Sequence, residues 1–379
     1  MTAPRPRVLI APVTVTPTKA LGLSHLKGLL WVDVMHRATR MLADRDVDYL
    51  YSNTTFNGTR QTAGFWEYLD RVHGDVDPST VTEDEVGLLY TEFQTRGDPP
   101  GDAALLPYVR AVEQTGWTHP VSRRLLELWR GHFARLGMHD PGLTATRRPG
   151  LDFEETVERL AKHGLCLDTR DGGGPVYLDA TAQGLPLRPA TSATGRPNYL
   201  GCALRDLLPA AEEYDEIVLL HDRELTEDYV LLQKLLGALG GARAHRVCLD
   251  RVPLDGVVRS SRHGVAHAHT VAGLAEALRD QASPEAVRLG VRLYFVTGLG
   301  KGGNGQSYRE DLLRQTVRRA AGLLAREDPP SAPDAPDTLE FVRQQTGGRS
   351  YVDPYRLTSA LLRRHQRVPL RAVASAVYL

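Results

Sequence analysis

The sequence predicts an α/β fold: a parallel sheet with helices on its faces, interrupted by a helical insertion and followed by a C-terminal helical domain. Three observations carry this. An apolar run, VLIAPV (Val8 to Val13), leads into a long helical pattern and then a second short strand, VDYLYSN (Val47 to Asn53). That order at that distance is the signature of a βαβ unit and so of parallel pairing. A second such unit lies at 216–250, and the stretch between the two is polar and helical in pattern.

The elements follow in order. Residues 7–13 read as a buried strand, and 24–43 as a helix carrying Leu26, Leu30, Val34, Ala38 and Met41 on one stripe. From about 60 to 165 several Trp, Tyr and His punctuate helical patterns, which reads as an insertion rather than sheet. Strand character returns at PVYLDA (Pro175 to Ala180) and EIVLLHD (Glu216 to Asp222). The helix DYVLLQKLLGALGG ends on Gly240 and Gly241, and the strand AHRVCLD comes next. After residue 284 the chain reads as helical apart from a Gly-rich loop at 300–305, and REDPPSAPDAPD (Arg326 to Asp337) as a linker. The domains expected are a first half-sheet at 1–60, an insertion at 61–170, a second half-sheet at 171–280 and helices at 281–379. There are no internal repeats.

Composition narrows the class. The 379 residues carry 46 Lys and Arg against 46 Asp and Glu, so no global basic field advertises nucleic acid. Lysine is scarce, five against 41 arginines, as GC-rich bacterial coding produces. Cys166, Cys202 and Cys248 are too scattered for a zinc site and too few for a disulfide framework. No apolar run approaches the roughly 20 residues that span a bilayer, and the N-terminus enters a strand without a signal-like segment, so a cytoplasmic protein is expected.

The chemistry concentrates where the first strand turns into helix. PTKALGLSHLKGLL, from Pro17, places Ser24 and His25 at a helix start, where free backbone N–H groups and the helix dipole favour an anion. With the strand before it, this segment resembles the HIGH region of class I aminoacyl-tRNA synthetases, Gly22-Leu23-Ser24-His25 standing for His-Ile-Gly-His. The second histidine is kept as His25; Gly22 replaces the first and Ser24 replaces the glycine. The bare alternative is a helix capped by Ser24, with His25 on its first turn.

GVVRSSRHG (Gly256 to Gly264) resembles the KMSKS loop as the arginyl branch carries it, with Val258 in place of the leading lysine and Arg259, Ser260, Ser261 and Arg262 on the pattern. It follows the second half-sheet, roughly 230 residues beyond the first motif, as in that family. YSNTTFNGTRQT, from Tyr51, is more similar to the methionyl branch. The arginyl pattern wants a tyrosine followed four residues later by aspartate; Tyr199 is present but Ala203 takes the later place, which argues against arginine as substrate. The similarity covers about residues 7–320 and fits no single amino-acid specificity.

The resemblance implies a split Rossmann (HUP-type) sheet and an ATP-dependent ligase with Mg²⁺. The triphosphate would meet Pro17, Lys19, Gly22, Ser24, His25, Arg259, Ser260, Ser261 and Arg262, with His25 and Arg262 steadying charge on phosphate. Thr14, Asn53, Thr54, Tyr199, His221 and Asp222 would face the substrate; the bland reading of His221 and Asp222 is a turn past a strand end. Only about 100 residues follow the second motif, too few for the usual anticodon-recognising domain. The reading that follows is a stand-alone relative that activates an amino acid or other carboxylate and passes it to a small-molecule amine or hydroxyl in specialised metabolism. One alternative is a minimal enzyme that charges or uses tRNA, with a basic face built from Arg363, Arg364, Arg367 and Arg371. Another is a non-catalytic ligand-binding relative.

Two further patterns point elsewhere. TGLGKGGNGQS (Thr297 to Ser307) resembles a phosphate loop, but a Walker A has Gly-Lys-Ser/Thr, and Lys301 precedes two glycines, so a surface loop is expected. His267 and His269 lack a third ligand at suggestive spacing and read as exposed histidines. No metal site is expected from protein side chains.

Overall fold

The computed structural model describes residues 5–12, 14–74, 76–97, 99–258, 264, 266–302, 306–325, 338–363 and 370–379. The chain opens with β1 (Arg7–Pro12), α1 (Leu23–Arg40) and β2 (Asp46–Tyr49). A helical stretch follows: α2 (Arg60–Tyr68), α3 (Glu83–Thr95), α4 (Asp102–Thr115), α5 (Pro120–Arg135) and α6 (Phe153–Lys162). Three short strands come next, β3 (Cys166–Asp168), β4 (Val176–Leu178) and β5 (Arg188–Pro189), then α7 (Tyr199–Glu213), β6 (Glu216–Asp222), α8 (Thr226–Ala238) and β7 (Arg243–Leu249). The remainder is helical: α9 (Val271–Ala277), α10 (Pro284–Arg292), α11 (Glu310–Leu324), α12 (Thr338–Gln344), α13 (Pro354–Leu361) and α14 (Leu370–Val373).

Four strands make one parallel sheet in the order β2-β1-β6-β7. The pleat explains why β1 is apolar at every central position. Val8 and Ile10 face one core with Val218 and Leu220 of β6, beneath Leu26 and Leu30 of α1. Leu9 and Ala11 face the other with Ile217 and Leu219, beneath Leu204 and Leu208 of α7 and Leu232 and Leu235 of α8. A strand buried on both faces needs side chains of this kind at both parities. The register sets Val8 beside Glu216 and Val47, and Asp215 accepts the Arg7 backbone N–H at 2.7 Å.

Two details depart from the sequence reading. PVYLDA contributes β4, which pairs antiparallel with β3 and β5 in a separate small sheet. The flanking Gly and Asp turns leave only three residues of strand, too short to cross the main sheet. The second strand also ends at Tyr49, because Ser52 and Thr54 bond to each other through their hydroxyls at 2.9 Å and turn the chain out of the sheet.

The outer face of α1, Val34 and Ala38, packs on α10, α11, α13 and α14 in a third core. Asp33 of α1 meets Arg292 of α10 at 2.7 Å, with both side chains almost wholly buried. The insertion is fastened to the connection between β1 and α1 through Trp66, whose indole N–H donates to Ser122 Oγ at 2.8 Å while Ser122 donates to the Pro17 carbonyl at 2.6 Å. Among the described residues no helix is long and apolar enough to cross a membrane.

Candidate active site

The parallel strands change direction of progression between β1 and β6, and ligand crevices in such sheets open past the carboxyl ends of strands at that point. A cavity of about 390 Å³ lies there. Thr14, two residues beyond β1, lines it, as do Asp222 at the end of β6 and Arg251 just past β7. Lys19, His25 and Tyr199 complete the set of expected residues found on its wall.

Gly22 caps α1 with extended backbone, and its N–H donates to His25 Nδ1 at 3.2 Å. The imidazole proton of the neutral ring therefore sits on Nε2. Burial, then the nearby charges of Lys19 and Arg251, lower the His25 pKa to about 3. His25 is thus a neutral donor at physiological pH. Positive charge comes from Lys19, whose Nζ also lies 5.3 Å from the centre of the Tyr90 ring. Arg251 is held by two carboxylates, Asp222 at 3.2 Å and Glu224 at 2.9 Å. The tyrosine side is aromatic: Tyr199 stacks on Phe56 with centroids 4.4 Å apart, and its hydroxyl lies 3.2 Å from that of Tyr229. Burial raises the pKa of both phenols, so they remain neutral.

The two motif regions meet. Ser24 Oγ accepts the Val252 N–H at 2.9 Å, so Ser24 fastens the segment after β7 instead of capping its own helix. Gly22 bridges to Thr270, and the Val271 N–H donates to the Leu21 carbonyl at 2.8 Å. Both flanks of the KMSKS-like segment are therefore tied to the start of α1. Arg259, Ser260, Ser261 and Arg262 themselves lie outside the described residues.

Other expected residues serve the framework. Pro17 and Gly22 act through the backbone bonds given above. Asn53 donates from Nδ2 to the carbonyls of Leu143 and Ala145, at 2.7 and 3.0 Å, and Thr54 donates to the Arg147 carbonyl at 2.8 Å. Both face the 143–147 segment and neither lines the cavity. His221 is buried and stacked on Tyr229 at 4.7 Å, and neither ring lines the cavity. Lys301 of the Gly-rich loop pairs with Asp353 at 3.2 Å. His267 sits between Asp84 at 2.6 Å and Glu276 at 3.1 Å, which raise its pKa, so it is a tie between α3 and α9. Among the described residues no three His, Cys, Asp or Glu are grouped to hold a metal ion.

Sequence reasoning missed Phe56, Arg60, Gln61, Arg196 and Arg251, all on the cavity wall. It also missed Lys27, which bonds through Nζ to the Asp250 carbonyl at 2.9 Å and has its pKa lowered by burial to about 8. Lys27 lines a second cavity of about 400 Å³, which shares Arg251 with the first.

No family model matches the chain, and no curated protein matches its sequence. Solved structures do. The chain is similar to arginyl-tRNA synthetase of Thermus thermophilus, with TM-score 0.65 and 17% identity over 99% of this chain and 75% of that one. It is also similar to arginyl-tRNA synthetase of Plasmodium falciparum, with TM-score 0.51 and 9% identity over 85% of this chain and 52% of that one. At such identities the likeness concerns architecture: this chain has the Rossmann-type α/β fold of the class I aminoacyl-tRNA synthetases.

Proposed function

We propose that the chain binds ATP in the cavity over the start of α1 and uses it to activate a carboxylic acid, in the manner of the proteins whose fold it shares. The observation that carries this reading is that His25 and Lys19 line one crevice at the strand ends while both flanks of residues 259–263 are tied to the helix start that carries His25. A carboxylate oxygen attacks the α-phosphorus, the bond from that phosphorus to the bridging oxygen breaks, and pyrophosphate leaves. An amine or hydroxyl then attacks the acyl carbonyl and AMP departs with the carboxyl oxygen.

His25 donates from Nε2–H to a phosphate oxygen, while Lys19 and Arg262 supply the charge. Oriented donors of this kind act on charge as it develops, and losing one typically costs about 10²–10³ in rate. Asp222, Tyr199 and Thr14 position the acid, with Asp222 taking its ammonium group. The described side chains provide no metal cradle, so Mg²⁺ would arrive on the triphosphate and no step here depends on it. The work belongs in the cytoplasm, where ATP is supplied.

The acceptor is a small-molecule amine or hydroxyl. Zero net charge supports this over tRNA, because binding a polyphosphate backbone draws on clustered cations. Arg364 and Arg367, half of the basic face a tRNA reading needs, lie outside the described residues. The test is carboxylate-dependent exchange of labelled pyrophosphate into ATP, followed by hydroxylamine trapping and by incubation with total tRNA. Exchange and trapping without tRNA acylation support the proposal. Acylation of tRNA replaces the acceptor, and ATP binding without exchange leaves a non-catalytic binder.

A further inference from the structure

Besides Arg251, two arginines line the cavity. Arg60 opens α2, and Arg196 lies between β5 and α7. Both reach the start of α4: Arg60 donates to the Pro100 carbonyl at 3.2 Å, and Arg196 Nη2 meets Asp102 at 3.1 Å. Both are therefore anchored within the same three residues, 100–102. The Nη1 of Arg196 is buried without a hydrogen-bond partner, the kind of donor that a ligand oxygen satisfies. Thr59 turns its hydroxyl to the Phe56 carbonyl at 2.7 Å, so no side chain caps the first turn of α2, whose Arg60 and Gln61 line the cavity.

The balance of charge on this wall is one-sided. Among the described residues Asp222 is the single carboxylate lining the cavity, and it is shared between Arg251 and the ammonium group of the acid, which leaves none for a side chain. A cationic substrate tail thus finds no free carboxylate, whereas an anionic tail finds two guanidiniums, of which Asp102 offsets part of one. Arginine is well suited to this, because its planar fork matches a carboxylate in two parallel bonds.

We infer, resting on the adenylate-forming reading above, that the activated acid is a dicarboxylic amino acid whose side-chain carboxylate is bound by Arg60 and Arg196. The phosphates of ATP are the competing source of negative charge for these arginines, and the test separates the two.

Pyrophosphate exchange is measured with aspartate, glutamate and 2-aminoadipate against asparagine, glutamine, arginine and methionine. One of the dicarboxylic acids should exceed its amide in kcat/KM by about tenfold to a hundredfold, the range of a lost charged hydrogen bond. R60Q and R196Q should each erode that preference through the KM for the amino acid, leaving the KM for ATP unchanged. Arg60 is exposed, so R60Q reports even where R196Q fails to fold. A preference for an amide, arginine or methionine overturns the inference while adenylation stands, and so does a change confined to the KM for ATP. Should no acid support exchange, adenylation falls, and calorimetric titration of wild type and R60Q with each dicarboxylic acid decides: binding weakened in R60Q sustains the anion site, and absent or unaltered binding overturns it.

Discussion

Ser24 Oγ accepts the backbone N–H of Val252 at 2.9 Å, joining the first turn of α1 to the segment that leaves β7, 228 residues further along. Both residues that depart from the HIGH pattern thus join the two motif regions, Ser24 on the near flank and Gly22, through its bridge to Thr270, on the far one. S24A and S24G should each cost about 1 kcal/mol, the usual worth of such a bond, and lower the melting temperature by about 2 °C. ATP affinity should weaken with it. Calorimetric unfolding checks the first effect, and unchanged stability in both variants would mean that the bond holds nothing.

The His25 pKa, lowered to about 3, makes a signed prediction. Between about 3 and the ordinary value of 6.5 the unfolded imidazole binds a proton that the folded one does not. Stability from this residue is therefore lost as pH falls through that window and is flat above it. In urea unfolding at pH 4 to 8, H25N should show a shallower fall on the acid side than wild type, by up to about 1.4 kcal/mol per pH unit. Parallel curves would contradict the assignment.

Asp33 and Arg292 should be mutually dependent. Both are buried, and removing one strands the other, which costs about 3–5 kcal/mol. D33A is expected to lie in that range, and the D33L/R292M pair to cost less than either single change. A double variant as poor as the sum of its singles would show the two acting independently.

Lys27 should be visible directly. Its pKa is lowered to about 8 by burial, and the chain has only five lysines. Carbon-13 labelled lysine spectra should show one side chain titrating near 8, which disappears in K27M. Five lysines all titrating above 10 would contradict this.

How much of this the sequence discloses depends on the range of the forces involved. The parallel strands are legible because burial on both faces demands apolar side chains at both parities, as in VLIAPV and EIVLLHD. His25, Lys19, Thr14, Tyr199 and Asp222 are legible because strand ends and helix starts make crevices. Asn53 and Thr54 read as a strand end too, but the strand stops at Tyr49 and their side chains face the 143–147 carbonyls, a contact across 90 residues that no local pattern encodes. Arg60, Arg196 and Arg251 look like ordinary surface arginines until the fold sets them around one cavity. Ser24 reads as a cap, and only the return of the chain at Val252 reveals its partner.

The central claim is that one triphosphate is shared by the start of α1 and the KMSKS-like segment. Calorimetric titration of ATP into wild type, H25A, R262A and the double variant tests it most directly. The account predicts measurable ATP binding, each single change weakening it by about tenfold or more, and a double effect smaller than the product of the singles. Unaltered affinity in both single variants, or no ATP binding by the wild-type chain, would contradict it.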